Sequence, residues 1–328
     1  MVKHDTHASH KDGDEHQETE QQRRLNEKLR RELGPAIIEA LDDPNVFEVQ
    51  LNPDGRVWAD RFGQGKVHIG TMSKTKAMNV LGTVAGMLGL EATAATPIVE
   101  GELPLDGSRF AGSIPPIVER AQFAIRKKAL KIFTYQDYLD QGTMTAAQWA
   151  AIDNHIKQKH NILVVGGTGS GKTTLCNALL QRIVETDPTT RIVIIEDTRE
   201  LQCAAVHLVS YKVSDTIDMT RLLKLTLRQT PDRIVVGEVR DKAALDLLKS
   251  WNTGHGGGVG TLHANSAEEG LVRLEQLIAE SGSTALPAVI ASAVNCVISI
   301  QKADGGRKIQ QICTVKGGSS DGYDLEFH

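Results

Sequence analysis

The sequence predicts an α/β protein in two parts, a C-terminal domain on a mostly parallel sheet preceded by a smaller α+β domain. Three observations predict it. Residues 161–165, 191–195 and 233–236 are short runs rich in apolar β-branched side chains, the pattern of strands buried on both faces. Helical periodicities separate these runs, which gives the strand–helix alternation of a parallel sheet. Upstream of about residue 130 the period keeps changing, with turn residues between short segments.

The elements follow in order. Residues 1–17 are polar, carry His4, His7, His10 and His16, and read as a disordered, solvated tail. From 18 to 41, Leu25, Leu29, Leu33 and Ile37 recur every four residues among charges, an amphipathic helix interrupted at Gly34-Pro35. Val46, Glu48 and Gln50 then alternate with Phe47, Val49 and Leu51; Asn52-Pro53-Asp54-Gly55 is a turn, and 56–60 is the returning strand. Ser73 is placed to cap a helix reaching about Leu90. Segments broken by Gly and Pro follow, and 122–127 alternates as a further strand. The α+β domain is therefore expected over 18–130, a linker and connecting helix over 131–160, and the α/β domain over 161–328.

Composition narrows the function. A formal charge of −4 lacks the basic balance of nucleic-acid binders, so direct nucleic-acid binding is not predicted. No run approaches the roughly 18 apolar residues of a membrane-spanning helix, and the N-terminus lacks the apolar region of a secretory signal. Cys176, Cys203, Cys296 and Cys313 stand apart, without zinc-ribbon or redox spacing. A cytoplasmic protein is expected, with attachment to a membrane surface requiring partners or an interfacial helix.

The chemistry begins with Gly166-Gly167-Thr168-Gly169-Ser170-Gly171-Lys172-Thr173, followed by Thr174, directly after one strand-like run and before a helix-like one. Glycines let backbone N–H groups turn onto phosphate oxygens, Lys172 adds charge at the β- and γ-phosphates, and the Thr173 hydroxyl can ligate Mg²⁺. ATP and Mg²⁺ are the expected ligands. Glu238 ends the strand at 233–236, where a carboxylate can orient or deprotonate water; a solvated strand-end acid is the bland alternative. Glu196 and Asp197 end the strand at 191–195 and could support Mg²⁺ through water, or simply be solvated acids. Between Thr253 and His263, five glycines surround His255 and His263, which reads as a flexible loop presenting imidazoles to a ligand or as satisfied loop histidines.

Taken together and in this order, the motifs resemble the secretion (traffic) ATPase superfamily of type IV secretion, type II secretion and pilus motor ATPases. Glu196-Asp197-Thr198-Arg199-Glu200 is similar to its Asp box. Leu227 to Asp232, leading into Gly237-Glu238-Val239-Arg240, is similar to its Walker B region, and Thr253 to Asn265 to its His box. Glu102-Leu103-Pro104, Gly107-Ser108-Arg109 and Ile125-Arg126-Lys127 are similar to its N-terminal segments. The compact first domain and the absence of a tetra-cysteine insertion point to the conjugative-transfer, TrbB-type branch. The resemblance implies a RecA-like ATPase domain and a homo-hexameric ring, peripheral to the inner membrane among other type IV secretion components. It implies that Arg109 and Arg126 stabilise phosphate charge, and that His255 and His263 sense the γ-phosphate. By themselves the two arginines would read as surface salt bridges. A pilus-retraction motor and a nucleotide-gated assembly scaffold are the alternatives. Residues beyond about Lys302 have no assigned role.

Overall fold

Two sheets organise the chain in a computed structural model, which describes residues 20–61, 64–128, 132–214, 216–284, 286–303 and 306–328. The tail at 1–17, with its histidines, lies outside the described residues. Contacts divide the chain into two units. One holds the described part of Met1–Asp42 with Val49–Trp58 and His68–Ile125; the other holds Asp43–Glu48, Ala59–Val67 and Arg126–His328.

Along the first part of the chain, Gly34 takes a left-handed φ of 83°, which ends one helix and starts the next. The results are α1 (Glu20–Leu33) and α2 (Pro35–Asp42), burying Leu29, Leu33 and Ile37. β1 (Val46–Leu51) and β2 (Arg56–Arg61) are joined by the expected turn, in which the Gly55 N–H donates to Asn52 O at 2.9 Å. β3 (Gly65–Thr71) follows. The Ser73 hydroxyl then caps α3 (Lys74–Met87), accepting from the Lys76 N–H, and this helix stops short of Leu90. β4 (Ile98–Glu102), β5 (Arg109–Ser113) and β6 (Gln122–Arg126) complete a six-stranded sheet in the order β3-β2-β1-β6-β5-β4.

The connector contains α4 (Tyr135–Asp140) and α5 (Ala146–Lys157), each started by a capping box, Thr134 with Asp137 and Thr145 with Gln148. Next come β7 (Ile162–Val165), α6 (Lys172–Thr186), β8 (Arg191–Glu196), β9 (His207–Lys212), α7 (Met219–Thr226) and β10 (Arg233–Val236). Then follow α8 (Ala243–Asn252), β11 (Val259–Leu262), α9 (Ala267–Glu280), α10 (Pro287–Ala293), β12 (Cys296–Ala303), β13 (Gly306–Ser319) and β14 (Gly322–Phe327). The eight-stranded sheet runs β14-β13-β12-β7-β11-β10-β8-β9, parallel from β12 to β9 and antiparallel through β13 and β14. This is the mostly parallel α/β sheet expected.

The two-residue period of the strands builds two cores. Leu163, Val165, Val193 and Ile195 pack with α7, α8, α9 and α10, whereas Ile162, Val164, Ile192 and Ile194 pack with α5 and α6. All these strand residues are essentially sealed from solvent, each worth about 1.5–3 kcal/mol of burial. The C-terminal ends of β7, β8, β10 and β11 thereby become the fixed points from which loops depart.

Candidate nucleotide site

The loop after β7 is shaped by what lies beside it. A Cβ on Gly166 would run into the Ile300 carbonyl of β12 and the Ser170 hydroxyl, so only glycine lets that neighbouring strand pass. Gly171 caps α6 with a left-handed φ of 101°, turning the chain so that Lys172 begins the helix at its electropositive end.

Lys172 is 8% exposed, and its ammonium donates to Gly166 O at 2.8 Å and Gly167 O at 3.1 Å, with His263 Nδ1 at 3.3 Å. No carboxylate lies within ion-pair distance of it among the described residues. Burial pulls its pKa down to about 8, opposed by the Glu238 charge and reinforced by Arg126. A buried cation bonded to neutral oxygens is a seat for an anion.

Glu238 follows β10 and is clamped by Arg240: Nε donates to Oε1 and a terminal nitrogen to Oε2, both at 2.7 Å. His263 Nε2 stands 3.4 Å from the same carboxylate. Burial pushes the Glu238 pKa up, but Arg240, His263 and Lys172 together hold it below the ordinary value. Arg240 also reaches Asp197 Oδ2 at 3.1 Å. On His263, burial and then Lys172 lower the pKa, with Glu238 opposing.

Glu196, at the end of β8, is 3% exposed; its Oε1 accepts the N–H groups of Glu200 at 3.0 Å and Leu201 at 2.8 Å. Burial lifts its pKa to about 7 against those two bonds. The acid that meets the loop is instead Glu200, whose Oε2 accepts from the Thr173 hydroxyl at 3.4 Å. Glu200 is one of the acids of the 196–200 segment from which metal support is expected, whereas Arg240 stands inside the Walker B region with no expected role; its signal is its place two residues beyond Glu238.

The predicted residues thus separate. Lys172, Thr173, Glu238, His263, Glu196 and Asp197 gather at one end of the sheet, and the Arg126 charge reaches both Lys172 and His263. Thr174 is half-buried in the first turn of α6. Arg109 is half-buried on β5, in the other unit. The expected loop between the histidines is corrected in part: residues 253–258, with His255, do form a loop, but Val259–Leu262 is β11, paired on both sides in the middle of the sheet. Four extended residues span about 13 Å, so the two imidazoles leave from opposite ends of the strand. His255 Nδ1 meets Pro231 O at 2.8 Å, ahead of β10, and does not reach the phosphate loop of its own chain.

These residues fit a nucleotide with a divalent cation: a hydroxyl and a carboxylate at Thr173 and Glu200, and an ammonium among turned-in glycines. A model of the family described as type II/IV secretion system protein matches residues 36–314. A probable conjugal transfer protein TrbB of Sinorhizobium fredii is 48% identical over 303 residues, 92% of this chain and 93% of that protein. A conjugal transfer protein TrbB of Rhizobium radiobacter is 48% identical over 305 residues, 93% and 94% of the two chains. The solved structure of the Yersinia pseudotuberculosis ATPase DotB aligns with a TM-score of 0.63 at 17% identity, over 85% of this chain and 77% of that one, a likeness of fold. With most of its length matched by the family model and close relatives along nearly all of it, the chain belongs to the type II/IV secretion system protein family.

Proposed function

We propose that this chain is a Mg²⁺-dependent ATPase of a conjugative type IV secretion apparatus, working as a ring of six on the cytoplasmic side of the inner membrane. The observation that carries the reading is the Lys172 ammonium, buried and facing carbonyls instead of a counter-ion. The relatives named as conjugal transfer proteins favour that apparatus over pilus retraction. No helix among the described residues is long and apolar enough to cross a membrane, which agrees with a peripheral place. The division at about residues 130 and 160 belongs to the same proposal.

In this reading Lys172 exchanges its loop carbonyls for the β- and γ-phosphates, while the amides of 166–174 face their oxygens. Thr173 and Glu200 hold the Mg²⁺, directly or through water, and the ion supplies charge neutralisation to the phosphates. Arg240 lets go of Glu238, freeing that carboxylate to orient the attacking water, and His263, between Lys172 and Glu238, reports the γ-phosphate. Asp197 takes Arg240 over when Glu238 is released. Glu196 holds the turn that carries Glu200 and serves the metal indirectly. Arg109 and Arg126 are assigned to transition-state charge.

Steady-state phosphate release tests this. Wild type should hydrolyse ATP, and Lys172→Ala and Glu238→Gln should each lose about a hundredfold or more. Equal and negligible rates in all three proteins would replace the motor with a nucleotide-gated scaffold. Light scattering with and without ATP tests the ring, which a strict monomer under both conditions would remove.

A further inference from the structure

The segment left without a role, beyond Lys302, lies along the phosphate loop. β12 pairs in parallel with β7 up to Ser299 opposite Val165, so it runs on beside the loop that leaves β7. Its Ile300 carbonyl closes on Gly166. One turn of the pleat further, the Lys302 Cε and Nζ stand 3.3 Å from where a Cβ on Gly169 would be. The returning strand β13 sets Arg307 directly opposite Lys302. From there the Arg307 guanidinium donates to Gly169 O at 3.4 Å, and its Cδ lies 3.1 Å from a Cβ built on Gly171.

Two aspects of this arrangement are costly for a purely structural hairpin. Like charges directly opposite each other on antiparallel strands repel and destabilise the pair. The half-buried Arg307 is also partly desolvated, with its guanidinium 5.4 Å from the Phe47 ring centre, in the same unit. Asp60 is a carboxylate whose charge reaches both cations, so the pair is not without opposite charge nearby. Even so, both side chains converge on Gly169 and Gly171, the half of the loop that leads into α6 and Lys172. Local rules broken at one place, beside a ligand seat, mark a functional contribution.

We propose that Lys302 and Arg307 form a second cationic wall of the nucleotide site, taking phosphate charge at the glycine flank of the loop. The ligand class is a nucleoside di- or triphosphate, and the inference rests on the phosphate-loop reading above. Lys172 holds the phosphates from the helix side, and the hairpin adds charge from the side of β12. A guanidinium donating to phosphate makes charge-assisted bonds, so its loss is read as weaker binding.

The test is titration of the full-length protein with a fluorescent ATP analogue carrying the N-methylanthraniloyl group, at low and high salt. Arg307→Gln should weaken binding roughly tenfold or more, and Lys302→Gln severalfold. Arg307→Lys should recover a large part of the loss, and both losses should shrink as salt screens the charge. Lys302 is exposed, so Lys302→Gln reads the charge even if Arg307→Gln folds poorly. Lys172→Ala separates the two levels of the claim. If it abolishes binding while both hairpin variants bind within twofold of wild type, the cationic wall is overturned and the phosphate loop stands. If Lys172→Ala binds normally, the phosphate-loop reading itself fails. Losses that ignore salt and track a fall in the melting temperature without nucleotide would make the hairpin a scaffold only.

Discussion

Acid should destabilise this protein through one buried histidine, His155. His155, on α5, is 3% exposed; its Nδ1 lies 2.8 Å from His160 Nδ1 and its Nε2 3.1 Å from the Thr314 hydroxyl. Facing nitrogens at that distance share a single hydrogen, so one of the two rings must be neutral and accept it. Burial, followed by the charges of His160, His328 and Lys316, pulls the His155 pKa from 6.5 down to about 4. Between those values the unfolded chain binds a proton that the folded chain refuses, so stability is intact above pH 6.5 and declines as pH falls toward 4. A displacement of that size is worth about 3 kcal/mol at full extent and about 2 kcal/mol by pH 5. Urea unfolding of wild type and His155→Gln at pH 7.5, 6.0 and 5.0 isolates the titration of His155 and its coupled neighbours His160 and His328, since groups away from them titrate alike in both. Wild type should lose about 2 kcal/mol more than the variant between pH 7.5 and 5.0. Parallel profiles, within about 0.5 kcal/mol, would refute the assignment.

Three further outcomes follow from the same geometry. Glu196, with its pKa raised to about 7, stabilises the fold below its ordinary 4.5 and gives that up as pH rises through 7. Glu196→Gln should therefore raise the urea midpoint clearly at pH 8 and scarcely at pH 5. An alanine Cβ at Gly258 would come within 2.5 Å of Ile234 O and strike the Trp251 indole nitrogen, which donates to that carbonyl. Gly258→Ala should cost about 2 kcal/mol or more, read as a lower melting temperature with altered Trp251 fluorescence. With Arg240→Gln, burial acts on Glu238 without its main counter-charge, so the acid limb of the kcat/KM–pH profile, which reports the free enzyme, should move to higher pH. An unmoved limb would show that Arg240 does not set this carboxylate.

Strands β7, β8 and β10 were legible because burial on both faces demands unbroken apolar runs. β11 was hidden: its Gly260 lies against Trp251 and its Thr261 hydroxyl donates to Gly237 O, a strand that glycine-rich composition disguises as a loop. β12 and β13 mix Lys, Arg and Gln with their buried isoleucines, because their ends leave the core to flank the phosphate loop. Lys172, Thr173 and Glu238 could be named from motif order alone. The Glu200 contact could not, since it depends on how the segment after β8 meets the start of α6, and the Arg240 clamp could not, since only the folded turn after β10 aims that guanidinium at its neighbour two residues back.

The pairing of β12 with β7 also sets when the site can exist during synthesis. The phosphate loop leaves the ribosome at residue 166, yet the Ile300 carbonyl that closes on Gly166 comes more than a hundred residues later. A chain growing at about 5–20 residues per second spends several seconds with its glycine loop complete and its flank missing. A chain that stops short of β12 therefore carries the glycine motif without the strand that closes on Gly166.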